Sequence, residues 1–240
     1  YIGGGTPSLI ESKYIVQIME EIKSNFELDK NAEITIEVNP GTVTLEKLED
    51  YNKVGINRLS IGLQSTHEHL LKEIGRIHTY LDFLDTYRFT REAGFENINV
   101  DLMIGLPNQT LAEVQDSIEE IVSMEPEHIS VYSLILEEGT PLFKKVEEGL
   151  ELPDEELERK MYWTVKRILE ANGYNHYEIS NFAKQGYESK HNLDCWNQKE
   201  YIGFGVAAHS YTNGIRYSNI ENLEQYIKNY EEDKTEENNI

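Results

Sequence analysis

The sequence predicts an α/β chain: an incomplete (β/α) barrel over residues 1–149, followed by an α+β extension over residues 150–240. Three observations lead there. Short β-branched runs alternate with amphipathic stretches, which implies parallel strands joined by crossover helices. No GxGxxG opens a helix, which disfavours a dinucleotide-binding doubly wound sheet. Polar residues recur where each strand ends, at Gly4 to Thr6, Glu37 and Asn39, Gln64, Asp101, Tyr132 and Glu137. In a barrel those C-terminal ends share one mouth.

The elements follow in order. Tyr1–Gly5 reads as the end of a strand. Ser8 and Glu11 have capping-box spacing, ahead of a helix with Ile15, Ile18, Met19, Ile22 and Phe26 on one face. Glu33–Val38 alternates as a strand. Thr44 opens a helix carrying Leu45 and Leu48, and Gly55 stops it. Arg58–Leu63 is the next strand, and a helical stretch from His67 to Gly94 breaks near Gly75–Thr79. Asn97–Ile104 is a strand. Thr110 with Glu113 is a second capping box, leading Leu111, Val114, Ile118 and Ile121. Pro126 ends that helix, and His128–Leu134 is a fifth strand. The character changes after Gly149. Pro153–Asn172 is a long helix with Leu157, Met161, Val165, Ile168 and Leu169 inward, followed by a glycine- and aromatic-rich segment from Tyr174 to Tyr217. Glu231–Asn239, nearly all charged or amide, is expected to fray.

Composition narrows the function. The chain has 240 residues, with 22 Lys and Arg against 44 Asp and Glu, a net charge of −22. That argues against nucleic-acid binding, which needs a basic face. Cys195 is the single cysteine, so a disulfide framework and a multi-cysteine metal site within this chain are excluded. No run approaches the roughly 18 apolar residues of a spanning helix, and no signal segment opens the chain, so the expected location is cytoplasmic. A chain starting at Tyr1 inside a glycine motif reads as a fragment of something longer.

Several residues carry candidate chemistry. Gly3-Gly4-Gly5-Thr6-Pro7 lets backbone approach a ligand and offers free N–H groups, or is only a tight turn with Pro7 near the helix start. Glu37 ends an apolar strand and can accept hydrogen bonds from a ribose or an amine. Gln64 is an uncharged donor and acceptor. Asp101 has apolar neighbours and wants a ligand or a cation, with Arg76 the candidate by residue type. His191, Cys195 and Trp196 fall within six residues, able to ligate or stack on a flat cofactor, or else forming a loop with an anchoring Trp. The remaining histidines match no HExxH spacing, and neither a Gly-x-Ser-x-Gly elbow nor a P-loop occurs. A barrel hydrolase or isomerase using Glu37 and Asp101 as acid and base is the reading open to the residues alone.

Taken together the motifs resemble one family. They are YIGGGTPS (1–8), EVNPGT (37–42), NRLSIGLQS (57–65), GRIH (75–78), NVDLMIGLPNQT (99–110) and HYEISNFA (176–183). The set is similar to the radical S-adenosylmethionine proteins related to oxygen-independent coproporphyrinogen III oxidase, over roughly residues 1–230. HYEISNFA followed by His-Asn-Leu-x-x-Trp (191–196) resembles that family's haem-chaperone branch. The resemblance implies a partial, TIM-like radical SAM barrel, with S-adenosylmethionine, a [4Fe–4S] cluster and haem as cofactors or cargo. The implied activity is haem binding and delivery to apo-haemoproteins. The alternative it leaves is oxidation of coproporphyrinogen III to protoporphyrinogen IX. It implies that Gly4, Gly5, Thr6 and Glu37 contact S-adenosylmethionine. Gln64, Arg76 and Asp101 match positions assigned in the oxidase to a second such molecule, and Ile135 matches another cofactor-lining position. His191 matches the haem-binding segment. The family's cluster is held by three cysteines spaced CxxxCxxC, and this chain has none of them. Cys195 stands where the motif usually has Tyr.

Overall fold

The computed structural model describes residues 1–237, with side chains through Glu231. Its compact units are Tyr1–Glu188 and a second unit from Ser189 onward.

In the first unit a 3-10 turn at Pro7–Leu9 precedes α1 (Ser12–Asn25), β1 (Thr35–Val38), α2 (Leu45–Lys53), β2 (Arg58–Gln64), α3 (Glu68–Glu73) and α4 (Tyr80–Glu92). Then come β3 (Ile98–Ile104), α5 (Leu111–Ser123), β4 (His128–Ser133), α6 (Pro141–Glu147), α7 (Glu155–Ala171), β5 (Asn175–His176) and β6 (Asn181–Ala183). One six-stranded sheet has the order β1-β2-β3-β4-β6-β5. Its first four strands are parallel, while β6 runs antiparallel to both β4 and β5. The parallel strands follow chain order without the reversal that defines a doubly wound sheet, so the (β/α) barrel reading holds. No closed barrel forms among the described residues.

Side chains alternate across these strands with period two. Ile36, Val38, Leu59, Ile61, Leu63, Ile98, Val100, Leu102, Ile129 and Val131 form one face and join the buried core. The other face carries Thr35 and Glu37, then Arg58, Ser60 and Gln64, then Asn99 and Asp101, then His128, Ser130 and Tyr132. The helices therefore bury the apolar face, and the opposite face is a polar lumen. That differs from a barrel whose interior is packed with branched aliphatic side chains.

Local chemistry sets the helix ends. Thr110 and Glu113 form the expected reciprocal capping box, and Thr79 with Asp82 forms another at the start of α4. Removing the Thr110 hydroxyl by Thr110→Ala should cost about 1 kcal/mol, read as a lower urea midpoint at unchanged slope. The Ser8–Glu11 box is not formed. Ser8 is buried, and its hydroxyl lies 2.6 Å from that of Thr42 and accepts from the Asn39 amide at 3.1 Å. It ties two loops together instead, and α1 starts after Glu11 without a side-chain cap.

Other expectations are corrected. Tyr1–Gly5 contributes only an isolated bridge from Ile2 to Ile36, because Gly4 and Gly5 turn away at positive φ. Ile18 and Phe26 of α1 are exposed and only Ile15 and Met19 are buried, since α1 flanks the sheet edge and one narrow stripe finds a partner. The segment Glu231–Asn239, expected to fray, begins inside a helix that runs to Glu237. Residues 238–239 of that segment lie outside the described residues. The sequence changes character at Gly149, but the compact unit runs on to Glu188. It does so because α7 packs on α5 and β3, while β6 extends the sheet beside β4.

The second unit comprises α8 (Lys190–Trp196), the hairpin β7 (His209–Thr212) and β8 (Ile215–Ser218), and α9 (Leu223–Glu237). No helix among the described residues is long and apolar enough to cross a membrane.

Candidate functional site

A cavity of about 310 Å³ opens at the C-terminal ends of the parallel strands, a volume within the usual range for small-ligand sites. Its lining includes Gly5, Thr6, Glu37, Gln64, Arg76 and Asp101, which the sequence singled out, together with Tyr1, Asn39, Ser60, Gly62 and Tyr132.

The glycine loop and β1 make one wall. The Gly4 amide donates to Glu37 Oε2 at 3.1 Å, and the Tyr1 hydroxyl donates to Oε1 at 2.9 Å. Burial and the adjacent Glu37 carboxylate push the Tyr1 phenol well above its ordinary pKa, so it stays a donor. Gly4 and Gly5 have φ of +80° and +65°, and a Cβ on either would meet nothing within 4 Å. Glycine is needed there for conformation, and it leaves open space above the backbone. Asn39 Nδ2 donates to Thr6 Oγ1 at 3.1 Å, joining the turn after β1 to the loop.

β2 ends in a register shift between Gly62 and Gln64, and Gln64 sits at φ +74°. Such a bulge re-aims a side chain. Gln64 Nε2 then lies so near Gly62 that a Cβ there would come within 3.1 Å of it and of Asn39 Oδ1.

Asp101 forms the floor. Asn99 Nδ2 donates to its Oδ1 at 2.7 Å, and Ser60 Oγ donates to Oδ2 at 3.1 Å. Burial pushes its pKa up, opposed by these two donors and by the Arg58 charge. Arg76 feels the Asp101 charge, but no ion pair joins them within 4.0 Å. The sequence pointed to Arg76 as the cation for Asp101; two neutral donors, Ser60 on β2 and Asn99 on β3 itself, hold the carboxylate instead. Ser60, Asn99 and buried Arg58 were missed, although alternating polar residues in RLSIGLQ, NVD and HISVY were the available signal.

Two expected residues lie elsewhere. Ile135, 80% exposed, lines a separate groove of about 470 Å³ with Gly75 and Leu142. His191 lies on α8 in the second unit, its Nε2 3.9 Å from Cys195 Sγ, with Trp196 exposed on the same helix. Burial and Asp194 push the Cys195 thiol up, against the pull of Arg216. No group of three or more His, Cys, Asp or Glu among the described residues is placed to hold a metal ion.

Burial pushes His78 below the ordinary imidazole pKa of 6.5, and His128 well below it. The unfolded chain therefore binds protons that the folded chain does not, and stability falls as pH drops below 6.5 toward the folded-state values. The urea midpoint should decline from about pH 7 to pH 5. His128→Gln should flatten that decline, and an unchanged slope would show that His128 is not neutral in the fold.

Comparison with known proteins agrees with this geometry. The chain is 43% identical over 229 residues to the haem chaperone HemW of Bacillus subtilis, covering 95% of this chain and 60% of that protein. It is 37% identical over 209 residues to HemW of Escherichia coli, covering 87% and 54%. It is 40% identical over 210 residues to the mitochondrial radical S-adenosyl methionine domain-containing protein 1 of Danio rerio, covering 87% and 47%. The chain thus spans between about half and 60% of the length of these relatives. The structure of coproporphyrinogen III oxidase (HemN) from Escherichia coli superposes with a TM-score of 0.81 at 24% identity, covering 96% of this chain and 56% of that one. That likeness shows the fold. Residues 1–121 match the radical SAM superfamily, and with the glycine loop, the parallel strand order and the mouth cavity in place, the chain belongs to that superfamily.

Proposed function

We propose that the intact protein is a cytoplasmic haem chaperone that binds haem and delivers it to apo-haemoproteins, with S-adenosylmethionine held in the strand-end cavity. The observation that carries this is the 43% identity over 229 residues to a protein named for haem chaperoning. The cavity's donor set fits S-adenosylmethionine. Glu37 and Asp101 can accept from ammonium or ribose hydroxyl groups, Arg76 can meet a carboxylate, and Gln64 can do either. The Gly4–Gly5 backbone and Thr6 leave room for close approach. Every cavity-lining residue falls within 1–149, the expected barrel core.

When bound at an iron–sulfur cluster, S-adenosylmethionine supplies radical chemistry. This chain's residues supply its position. A [4Fe–4S] cluster needs thiolate ligands, and the single Cys195 lies in the second unit, so these 240 residues do not fit that group. Haem is cargo, placed on the α8 segment by His191 and covered by Trp196. Titration of haem into the intact protein, followed by transfer to an apo-haemoprotein, tests the reading. Formation of protoporphyrinogen IX from coproporphyrinogen III would overturn it in favour of the oxidase.

A further inference from the structure

We propose that Tyr177, His128 and Asn99 form a one-way hydrogen-bond chain that positions Asp101 as a fixed acceptor on the cavity floor; its bearing on ligand binding rests on the reading of that cavity as an S-adenosylmethionine site. The direction of every link follows from the one before. Asn99 presents its NH₂ to Asp101 Oδ1 at 2.7 Å and to Ser60 Oγ at 2.7 Å, so two oxygens set the orientation of one amide. Asn99 Oδ1 must then face away, and it lies 2.6 Å from His128 Nδ1. That nitrogen therefore carries the proton. His128 is fully buried, and burial with the neighbouring Arg58 charge holds it neutral, so its Nε2 is bare. A bare nitrogen needs a donor, and the Tyr177 hydroxyl stands 2.7 Å away. Ser130 leaves the order intact: its hydroxyl donates to Asn99 Oδ1 at 3.0 Å or to Asn181 Oδ1 at 2.5 Å, and both are acceptors.

With the Asn99 amide so set, reversing the Asn99–His128 link sets acceptor against acceptor, so the order runs one way. Its purpose follows from the weak point it protects. Asn99 alone could rotate its amide and set Oδ1 against the carboxylate, removing a donor and adding repulsion. His128 prevents that rotation, and the Tyr177 hydroxyl satisfies the bare Nε2 that this tautomer leaves. Tyr177 lies between β5 and β6, so a segment at the antiparallel end of the sheet controls an acceptor at the ends of the parallel strands. None of the three lines the cavity, and all act through Asp101. They are positioning residues.

Nitrogen-15 NMR of the intact, ligand-free protein reads the chain directly. The expected result is neutral His128 protonated on Nδ1, the tautomer disfavoured for free histidine in water. Protonation on Nε2, or an imidazolium near neutral pH, overturns the proposal. Calorimetric titration with S-adenosylmethionine reads the consequence. His128→Met should weaken binding about tenfold, whereas His128→Gln, which retains an amide donor for Asn99, should stay within about threefold of wild type. Tyr177→Phe removes one partly buried hydroxyl and keeps the ring. Should His128→Met not fold, this variant decides: a downfield shift of the unprotonated His128 Nε2, which loses its hydrogen-bond donor, supports the chain, and an unchanged Nε2 signal overturns it. Equal affinity of wild type and His128→Met also overturns it. Failure of the wild type to bind S-adenosylmethionine overturns the cavity reading alone, because the tautomer measurement stands apart from the ligand.

Discussion

Gly4→Val in the intact protein is expected to abolish S-adenosylmethionine binding while leaving helix and sheet content unchanged. Two effects combine. Gly4 sits at φ +80°, a region that a β-branched residue scarcely enters, so the loop must move and the 3.1 Å bond from its amide to Glu37 is lost. A Cβ there meets nothing within 4 Å, so the added methyl groups project into open space above the backbone. Glu37→Gln separates backbone from charge. It keeps the shape and leaves Gly4 glycine, and the loss of a charge-assisted partner should weaken binding about ten- to hundredfold. Calorimetry with S-adenosylmethionine, alongside circular dichroism, reads both variants. Unchanged affinity in Gly4→Val would remove the glycine loop from the binding site.

His191→Ala should weaken haem binding and shift the Soret band while S-adenosylmethionine binding persists. His191 follows Ser189, whose side chain accepts from the Asn192 amide as the N-cap of α8. Cys195 and Trp196 lie one turn further along the same helix. An imidazole is a haem-iron ligand, and an exposed indole can cover a porphyrin face. A purely structural His191 predicts the opposite pattern, with lower thermal stability and unchanged haem affinity per folded molecule. Measuring the folded fraction beside the haem titration separates the two. Unchanged affinity would take from the chaperone reading its residue-level support, and the oxidase would then be preferred. Cys195→Ser is the companion variant. The Cys195 thiol is 3.9 Å from His191, and its raised pKa keeps it protonated near neutral pH, so this change should leave haem affinity within about threefold.

By itself the sequence determined the succession of strands and helices, the parallel sheet, the glycine loop and most of the cavity's polar residues. These rest on local physics: period-two and period-3.6 patterning, the Thr110–Glu113 cap, and turns at Gly55 and Gly75. It placed Gly4, Gly5, Thr6, Glu37, Gln64, Arg76 and Asp101 at strand ends or in the connecting loops, and the fold brings them to one mouth. Only the tertiary structure decided what each of them touches. Ser8 was spent on Thr42 and Asn39 and not on a cap. Asp101 took one donor from Asn99, two residues along its own strand, and one from Ser60, which parallel register sets beside it on the lumen face. Gln64 reached the cavity through a bulge that no spacing announces. The physical reason is the range over which each force acts. Propensity and capping act within a few residues of chain, but a buried carboxylate is satisfied by whichever donors strand pairing places across the sheet. Ser60 lies 41 residues from Asp101 and Thr42 lies 34 from Ser8, so the identity of such partners is a property of the fold and its register.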